Sequence, residues 1–406
     1  MKKITIIFSI IIAMAINANA QWTLQTSGKT NNFNSVHFFD ANTGCVVGDD
    51  DGMGSGGMIL KTTNGGTTWT PQVSNTYSSL NSVHFTDANT GYISGGSGLI
   101  LKTTNGGTLW TALTTNATDN LKSICFPSAT TAYAVGSNGT IIKTTNSGTT
   151  WTAQTSGRTN LLKSVYFVNA TTGYVVGDSA TLLKTVNGGT TWTILNSGVT
   201  GFYNNLNAVY FTDVNTGYIV GQSGKIIKTT NGGTTWTTQT TGYSSDLYSI
   251  HFVDANNGYA AGYTKVLKTT NGGTTWTIQS TGISGTYDNL SSIFFLNSSL
   301  GYTVGYKGRI LKTINGGVAG VEENTKESQL NIYPNPTSDY ITVNIDNKDN
   351  SAMTLNIYNT IGKLVKQVAV TQNQQKVNIQ DLNNGVYIVE ISSKGLLERQ
   401  KLIIQK

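Results

Sequence analysis

Residues 80–111 read LNSVHFTDANTGYISGGSGLILKTTNGGTLWT, a run of short β-branched and aromatic stretches cut by Asp-Ala-Asn-Thr-Gly, Gly-Gly-Ser-Gly and Asn-Gly-Gly. Those interruptions carry the residues that tight turns need, so the stretches between them read as strands. Helix is excluded, because Gly and β-branched residues break every window in which a 3.6-residue apolar stripe would have to persist. The unit supplies four strands, at about Leu80–Phe85, Gly91–Ser94, Leu99–Thr103 and Leu109–Leu113.

Outward from this unit the same text recurs. All seven tryptophans belong to it, Trp22, Trp69, Trp110, Trp151, Trp192, Trp236 and Trp276, at intervals of 47, 41, 41, 41, 44 and 40 residues. A period near 40 to 45 built of four strands points to propeller blades. First strands begin at Phe33, Leu80, Leu121, Leu162, Leu206, Leu247 and Leu290. The seventh unit stops after Asn315-Gly316-Gly317, and the strand it lacks stands at the other end of the chain as Gln21-Trp22-Thr23-Leu24-Gln25. The expectation is an all-β, seven-bladed β-propeller over residues 21–318 in which the N-terminal strand completes the last blade, since closure hides edges that would otherwise pair with other chains.

The segment Thr62-Thr63-Asn64-Gly65-Gly66-Thr67-Thr68-Trp69, repeated from Thr103, Thr144, Thr185, Thr229 and Thr269, resembles the Asp box of neuraminidase-type (BNR) repeats. With the GY-x-x-G and L/I-K-T-T elements around it, the ring is similar to the photosystem II assembly factor class of Asp-box propellers. One departure is systematic: the aspartate position is Asn64, Asn105, Asn146, Asn187, Asn231, Asn271 and Asn315. A neutral amide still bonds a hairpin backbone but is a poor metal ligand, so these asparagines and Trp69, Trp110, Trp151, Trp192, Trp236 and Trp276 are read as architecture.

The two ends differ in texture. Residues 1–20 combine Met1-Lys2-Lys3, an apolar run from Ile4 to Ile16, and Asn17-Ala18-Asn19-Ala20, the order of a secretory signal peptide. No later segment approaches the roughly 20 apolar residues of a spanning helix. Residues 319–329 read as a linker and contain the first glutamates. Residues 330–406 alternate as short strands and suit a small β-sandwich. Their YPNP-type opening (Pro334, Asn335, Pro336), the turn before Gly362-Lys363, the Asn383-Asn384-Gly385-Val386-Tyr387 strand and the basic-apolar close at Lys401 to Ile404 resemble the type A sorting domain of the Bacteroidota type IX secretion system. The resemblance implies the type IX machinery as a partner, periplasmic transit, and a destination outside the cell or attached to the outer-membrane surface.

Composition narrows function. Only 11% of residues are charged and the net charge is +6 with no basic tract, so nucleic acid is not an expected partner. Cys45 and Cys125 fall in separate repeats and are read as buried free thiols. A sialidase-like site needs three arginines and a Tyr/Glu pair, whereas residues 21–321 hold only Arg158 and Arg309 and no glutamate. Asp40, Asp87, Asp213 and Asp254 recur in the turn after strand one, where Asp stabilises the turn itself. Asp246 and Asp288, on loops before adjacent first strands, are the one pair that would serve as acid and base in a glycoside hydrolase. His37, His84 and His251 share a position with Cys125, Tyr166, Tyr210 and Phe294 and are read as packing residues. Lys61, Lys102, Lys143, Lys184, Lys228, Lys268 and Lys312 precede the boxes and are expected to lay their stems beside the tryptophans with the ammonium groups in water. Asp49, Asp50 and Asp51, in a six-residue insertion, offer oxygen ligands for Ca²⁺ but lack the D-x-D-x-D-G spacing.

The favoured reading is a non-enzymatic binding or scaffold propeller for a glycan or protein, without cofactor. Its expected face is formed by the four-to-one and two-to-three loops and carries Tyr77, Asp119, Arg158, Tyr203, Tyr243, Asp246, Tyr263, Tyr287, Asp288 and Tyr306.

Overall fold

The structure is a computed structural model, and it describes residues 22–50, 56–285, 288–317, 330–345, 353–360, 362–393 and 396–406. The segment read as a signal peptide, Asp51 and Tyr287 lie outside the described residues. The chain divides into two compact units, Met1–Gly320 and Val321–Lys406.

In the first unit the repeat becomes seven four-stranded antiparallel sheets. Blade 2 is Leu80–Phe85, Gly91–Gly95, Ile100–Thr103 and Thr111–Leu113, with the residues of each strand paired to the next in order. All seven first strands start at the residues at which the sequence pattern places them. They also form a closed cycle, each packed on the first strand of the next blade and Leu290–Phe295 packed on Phe33–Phe38. Thr23–Gln25 pairs antiparallel with Ile310–Thr313 and so supplies the fourth strand of blade 7. Beside it Trp22 is 1% exposed, lies edge-on to Phe295 with ring centroids 5.7 Å apart, and donates its indole N–H to Gln279 Oε1.

Two rings of side chains hold neighbouring first strands together. The third residue of six of them is a serine, and in each case its hydroxyl accepts the backbone N–H of the next blade: Ser35 from Val83, Ser82 from Ile124, Ser123 from Val165, Ser164 from Val209, Ser249 from Ile293 and Ser292 from Val36. Blade 5 carries Ala208 there. Two residues on, the side chains meet in tilted contacts around the ring: Phe294 touches His37, His37 touches His84, Tyr166 touches Tyr210, Tyr210 touches His251 and His251 touches Phe294. Burial, with the neighbouring imidazoles, lowers His37 to about 3, and burial lowers His84 and His251 to about 4, so all three are neutral at pH 7.

Away from the centre, adjacent blades are sealed by the tyrosine of the GY-x-x-G element. Tyr133 stacks on Phe167 at 3.9 Å, Tyr174 on Phe211 at 4.0 Å and Tyr302 on Phe38 at 3.7 Å. Here the recurrent lysines depart from expectation. Lys143, Lys184, Lys228 and Lys312 each donate to the glycine carbonyl of the next blade's box, at 2.6–2.7 Å, with the ammonium 5.4–5.6 Å from the centroid of their own blade's tyrosine. The cause is register: tyrosine and lysine are cross-strand partners, Tyr133 with Lys143 and Tyr302 with Lys312, which lays the lysine along the tyrosine toward the seam.

The box itself is a hydrogen-bonded turn. Asn64 Oδ1 accepts Thr62 Oγ1–H at 3.0 Å and the Thr68 N–H at 2.9 Å, its amide donates to Thr68 Oγ1, and Thr62 Oγ1 accepts the Gly66 N–H. The same set recurs at Asn146, Asn187, Asn231 and Asn271. Gly65 and Gly66 have φ of 64° and 86°, a conformation that side chains with a Cβ rarely adopt. Trp69, Trp110, Trp192, Trp236 and Trp276 then meet their own blade's phenylalanine edge-on, as Trp69 does Phe38 and Trp236 does Phe211.

The second unit packs a three-stranded sheet against a four-stranded one around Ile341, Val343, Leu355, Ile357, Val389, Ile391 and Leu402. Asn335 fastens its opening to its end: the side chain donates to the Lys401 carbonyl and accepts the Ile403 N–H. Pro334 and Pro336 flank that clasp in the sequence, and Thr337 adds two backbone bonds, to Ile403 and Gln405. Tyr387 in the strand Gly385–Ser393 donates to the Asn383 carbonyl.

Candidate functional site

The second residue of each first strand, Asn34, Asn81, Lys122, Lys163, Asn207, Tyr248 and Ser291, lies on the far side of the serine ring from the histidines, toward the four-to-one and two-to-three loops. Within a blade the two loops are tied together, because a residue at or just past the end of strand two donates its N–H to the residue preceding strand one: Asp49 to Asn32, Asp178 to Leu161, Tyr263 to Asp246 and Tyr306 to Asn289. The result is a polar mouth with two unlike sides.

One side is ionic. Lys163 pairs with Asp178 at 2.6 Å and donates to Asn207 Oδ1, while Lys122 donates to Asn81 Oδ1. Asn34 donates to Asp49 Oδ1 at 2.7 Å. Burial, reinforced by Lys163 and opposed by Asp49, pulls Lys122 below the ordinary lysine range. The other side is phenolic. Tyr243, Tyr248, Tyr263 and Tyr306 are half-buried around Asp246 on blades 6 and 7. Burial, with the Asp246 carboxylate and the neighbouring phenols, pushes Tyr243 and Tyr248 up to about 12, so both keep their protons as donors. Tyr243 donates its hydroxyl to the Tyr263 carbonyl.

Of the residues expected on this face, Tyr243, Asp246, Tyr263 and Tyr306 come together. Tyr77 and Tyr203 stand apart on other loops, 77% and 70% exposed. Asp119 is occupied within its own blade, accepting Asn138 Nδ2–H at 2.7 Å and the Thr140 hydroxyl. Arg158 lines an open groove with Asn138, Gln154 and Asn160. Asp288 is not open to a substrate as half of an acid/base pair would be: it is 3% exposed and paired with Lys307 at 2.9 Å and Arg309 at 3.6 Å. Both cations come from the two-to-three loop of the same blade, a contact between loops that spacing along the chain does not reveal. Asp246 instead accepts the Ser223 N–H.

The residues missed in the sequence are Asn34, Asn81, Lys122, Lys163, Asn207 and Tyr248. Strict alternation does not reveal them: in Phe33–Phe38 the residues at 33, 35, 36 and 38 are buried and those at 34 and 37 are only partly so, because the strand carries a bulge between Phe33 and Ser35. For the calcium idea, Asp49 is engaged by Asn32 and Asn34 and Asp51 lies outside the described residues. Among the described residues no group of three His, Cys, Asp or Glu is placed to hold a metal ion.

Fold and tail together define a class: a secreted β-propeller of BNR repeats delivered by the type IX route. Profiles of the photosystem II assembly factor YCF48 match residues 14–164, 109–197, 157–238 and 199–282, and the secretion system C-terminal sorting domain matches residues 331–405. The chain belongs to the YCF48 family of propellers and carries that sorting domain, which directs it to the cell surface or beyond. A solved structure of YCF48 bound to D1 peptide superposes with a TM-score of 0.61 at 22% identity, covering 73% of this chain and 96% of that one. The GH74 enzyme of Niastella koreensis superposes with a TM-score of 0.58 at 15% identity, covering 95% and 75%. Beta-agarase A of Zobellia galactanivorans is 32% identical over 85 residues, 20% of this chain, and the chain matches only 14% of that protein's length. No helix among the described residues is long and apolar enough to cross a membrane.

Proposed function

We propose that the propeller is a non-enzymatic binding module that takes a polar glycan or protein ligand across the mouth. The observation that carries this reading is the cluster Tyr243, Tyr248, Tyr263 and Tyr306 facing Lys122, Lys163, Asp49 and Asp178 around one opening. Rigid amphipathic rings with a few fixed charges suit a polar partner. The D1 peptide of the YCF48 complex gives precedent for a propeller of this fold as a peptide receptor. A hydrolase working through Asp246 and Asp288 draws less support. An acid catalyst must reach the leaving oxygen, and Asp288 is buried and paired with Lys307 and Arg309.

In this reading residues 1–20 direct export to the periplasm, the ring acts outside the cell, and residues 330–406 are the address. A glycan array and a surface-protein pull-down with the full secreted chain test the binding role. Tyr306→Ala is expected to weaken capture about tenfold, the size of a single interface anchor. Hydrolysis of a polysaccharide that disappears in Asp246→Asn would overturn the proposal in favour of the enzyme.

A further inference from the structure

The loop that enters blade 5 is three residues longer than those that enter the units at Leu80, Leu121, Leu162 and Leu247, and it carries Gly201-Phe202-Tyr203-Asn204-Asn205. Phe202 is fully exposed and Tyr203 largely so. A phenyl ring in water adds nothing to the core, and the base of the loop is fastened without it. Asn205 Oδ1 accepts the Ser179 N–H and the Asn204 carbonyl accepts the Ala180 N–H, both from blade 4. From blade 5, Gln222 Oε1 accepts the Asn205 N–H and Lys225 Nζ donates to the Tyr203 carbonyl. The loop is therefore anchored on both flanks, with its two rings in solvent.

The turn of blade 5 that holds this loop, Gln222-Ser223-Gly224-Lys225, meets the phenolic side of the mouth on its other flank. Ser223 donates its N–H to Asp246 Oδ1, and a methyl placed on Gly224 would collide with the Tyr243 carbonyl, so the backbone of Tyr243 lies against the turn. One four-residue turn thus separates two sets of rings, Phe202 and Tyr203 on one side and the cluster around Asp246 on the other. The backbone of the turn is engaged within the protein: the Gln222 N–H goes to the Asn205 carbonyl and the Lys225 N–H to the Gln222 carbonyl. Ser223 is exposed between the two sets of rings, and Gln222 and Lys225 are half-buried there.

We propose that Phe202 and Tyr203 form an outlying sugar-stacking subsite, and that the ligand of the mouth is a linear oligosaccharide lying across this turn from the phenolic cluster to the two exposed rings. The proposal rests on the binding role assigned to the mouth above and names its ligand. A pyranose ring presents an apolar C–H face, which lies on an aromatic ring, and a rim of hydroxyls, which bond amide, hydroxyl and ammonium groups. The surface alternates in the same way: rings, then Gln222, Ser223 and Lys225, then rings. A peptide is taken up along a free strand edge or in an apolar groove, whereas the N–H groups of Gln222, Ser223 and Lys225 are already bonded within the protein.

The test is titration of the full chain with cellohexaose, xylohexaose and mannohexaose by ligand-observed NMR. Saturable binding of at least one of them, with a dissociation constant of about 1 mM or tighter, is expected. Phe202→Ala should weaken that binding about tenfold and leave the melting temperature unchanged, because the ring packs against nothing. Phe202→Trp should keep the affinity. A Phe202→Ala variant that binds the sugar as the unaltered protein does, while Tyr306→Ala weakens it, overturns the subsite and leaves the mouth standing. Capture of a surface protein with no binding of any of the three sugars overturns the oligosaccharide and leaves the binding role. Absence of both overturns both.

Discussion

At the residue scale the box asparagine explains why an Asp-box propeller tolerates losing its aspartate. The Oδ1 of Asn64 performs the acceptor role, receiving the Thr62 hydroxyl and the Thr68 N–H, and the amide adds a donor toward Thr68 Oγ1. A carboxylate would accept the same two hydrogens, with the Thr68 hydroxyl turned to donate. Asn64→Asp should therefore change stability by less than about 0.5 kcal/mol, whereas Asn64→Ala removes the acceptor and should cost about 1 kcal/mol. Urea denaturation midpoints of the two variants distinguish them, and equal midpoints would show that the side chain does not fasten the turn. Blade 2 is a natural variant, with Leu109 where the threonine stands, and Asn105 there retains only its acceptor bonds.

At the scale of an element, the closing strand does more than its three residues suggest. Thr23–Gln25 occupies the outer edge of blade 7 and positions Trp22 against Phe295, Tyr259 and Leu311. Its indole bond to Gln279 draws in blade 6, since Gln279 in turn donates to the Gly316 carbonyl. Trp22→Ala should cost about 3–5 kcal/mol, the range for truncating a buried large aromatic, and removal of residues 22–28 should lower the melting temperature of the whole ring rather than release one blade. Differential scanning calorimetry reads both, and a truncated chain that melts with the intact one would refute closure by this strand. The strand was legible because the seventh repeat lacked the Thr-Thr-Trp-Thr segment that the N-terminus supplied. The lysine contacts were not, because whether a lysine crosses a seam depends on the cross-strand tyrosine and on the next blade's carbonyl.

At the scale of the whole molecule, closure gathers side chains from seven repeats into one centre. His37, His84 and His251 are far apart in sequence yet lie in one ring, where burial lowers each below its unfolded value near 6.5. The unfolded chain then binds protons that the folded ring refuses, so stability should fall as pH drops from about 6.5 toward 4 and level off below the folded values. Melting temperatures between pH 7 and pH 4 check the slope, and His84→Phe, which copies Phe294 at the same ring position, should flatten it. A profile already flat in the unaltered protein would contradict the buried, neutral state of these imidazoles.

By itself the sequence determined four strands to a unit and where each first strand begins, the seven-fold count, the borrowed closing strand and the identity of the sorting tail. All of these are written in local alternation, turn residues and a repeating period, which act over a few neighbours. Only the tertiary structure decided which side chains share the mouth and that Asp288 is buried against Lys307 and Arg309. The physical reason is that these outcomes depend on how loops far apart along the chain are brought to one surface, and the side chains those loops carry do not repeat from unit to unit.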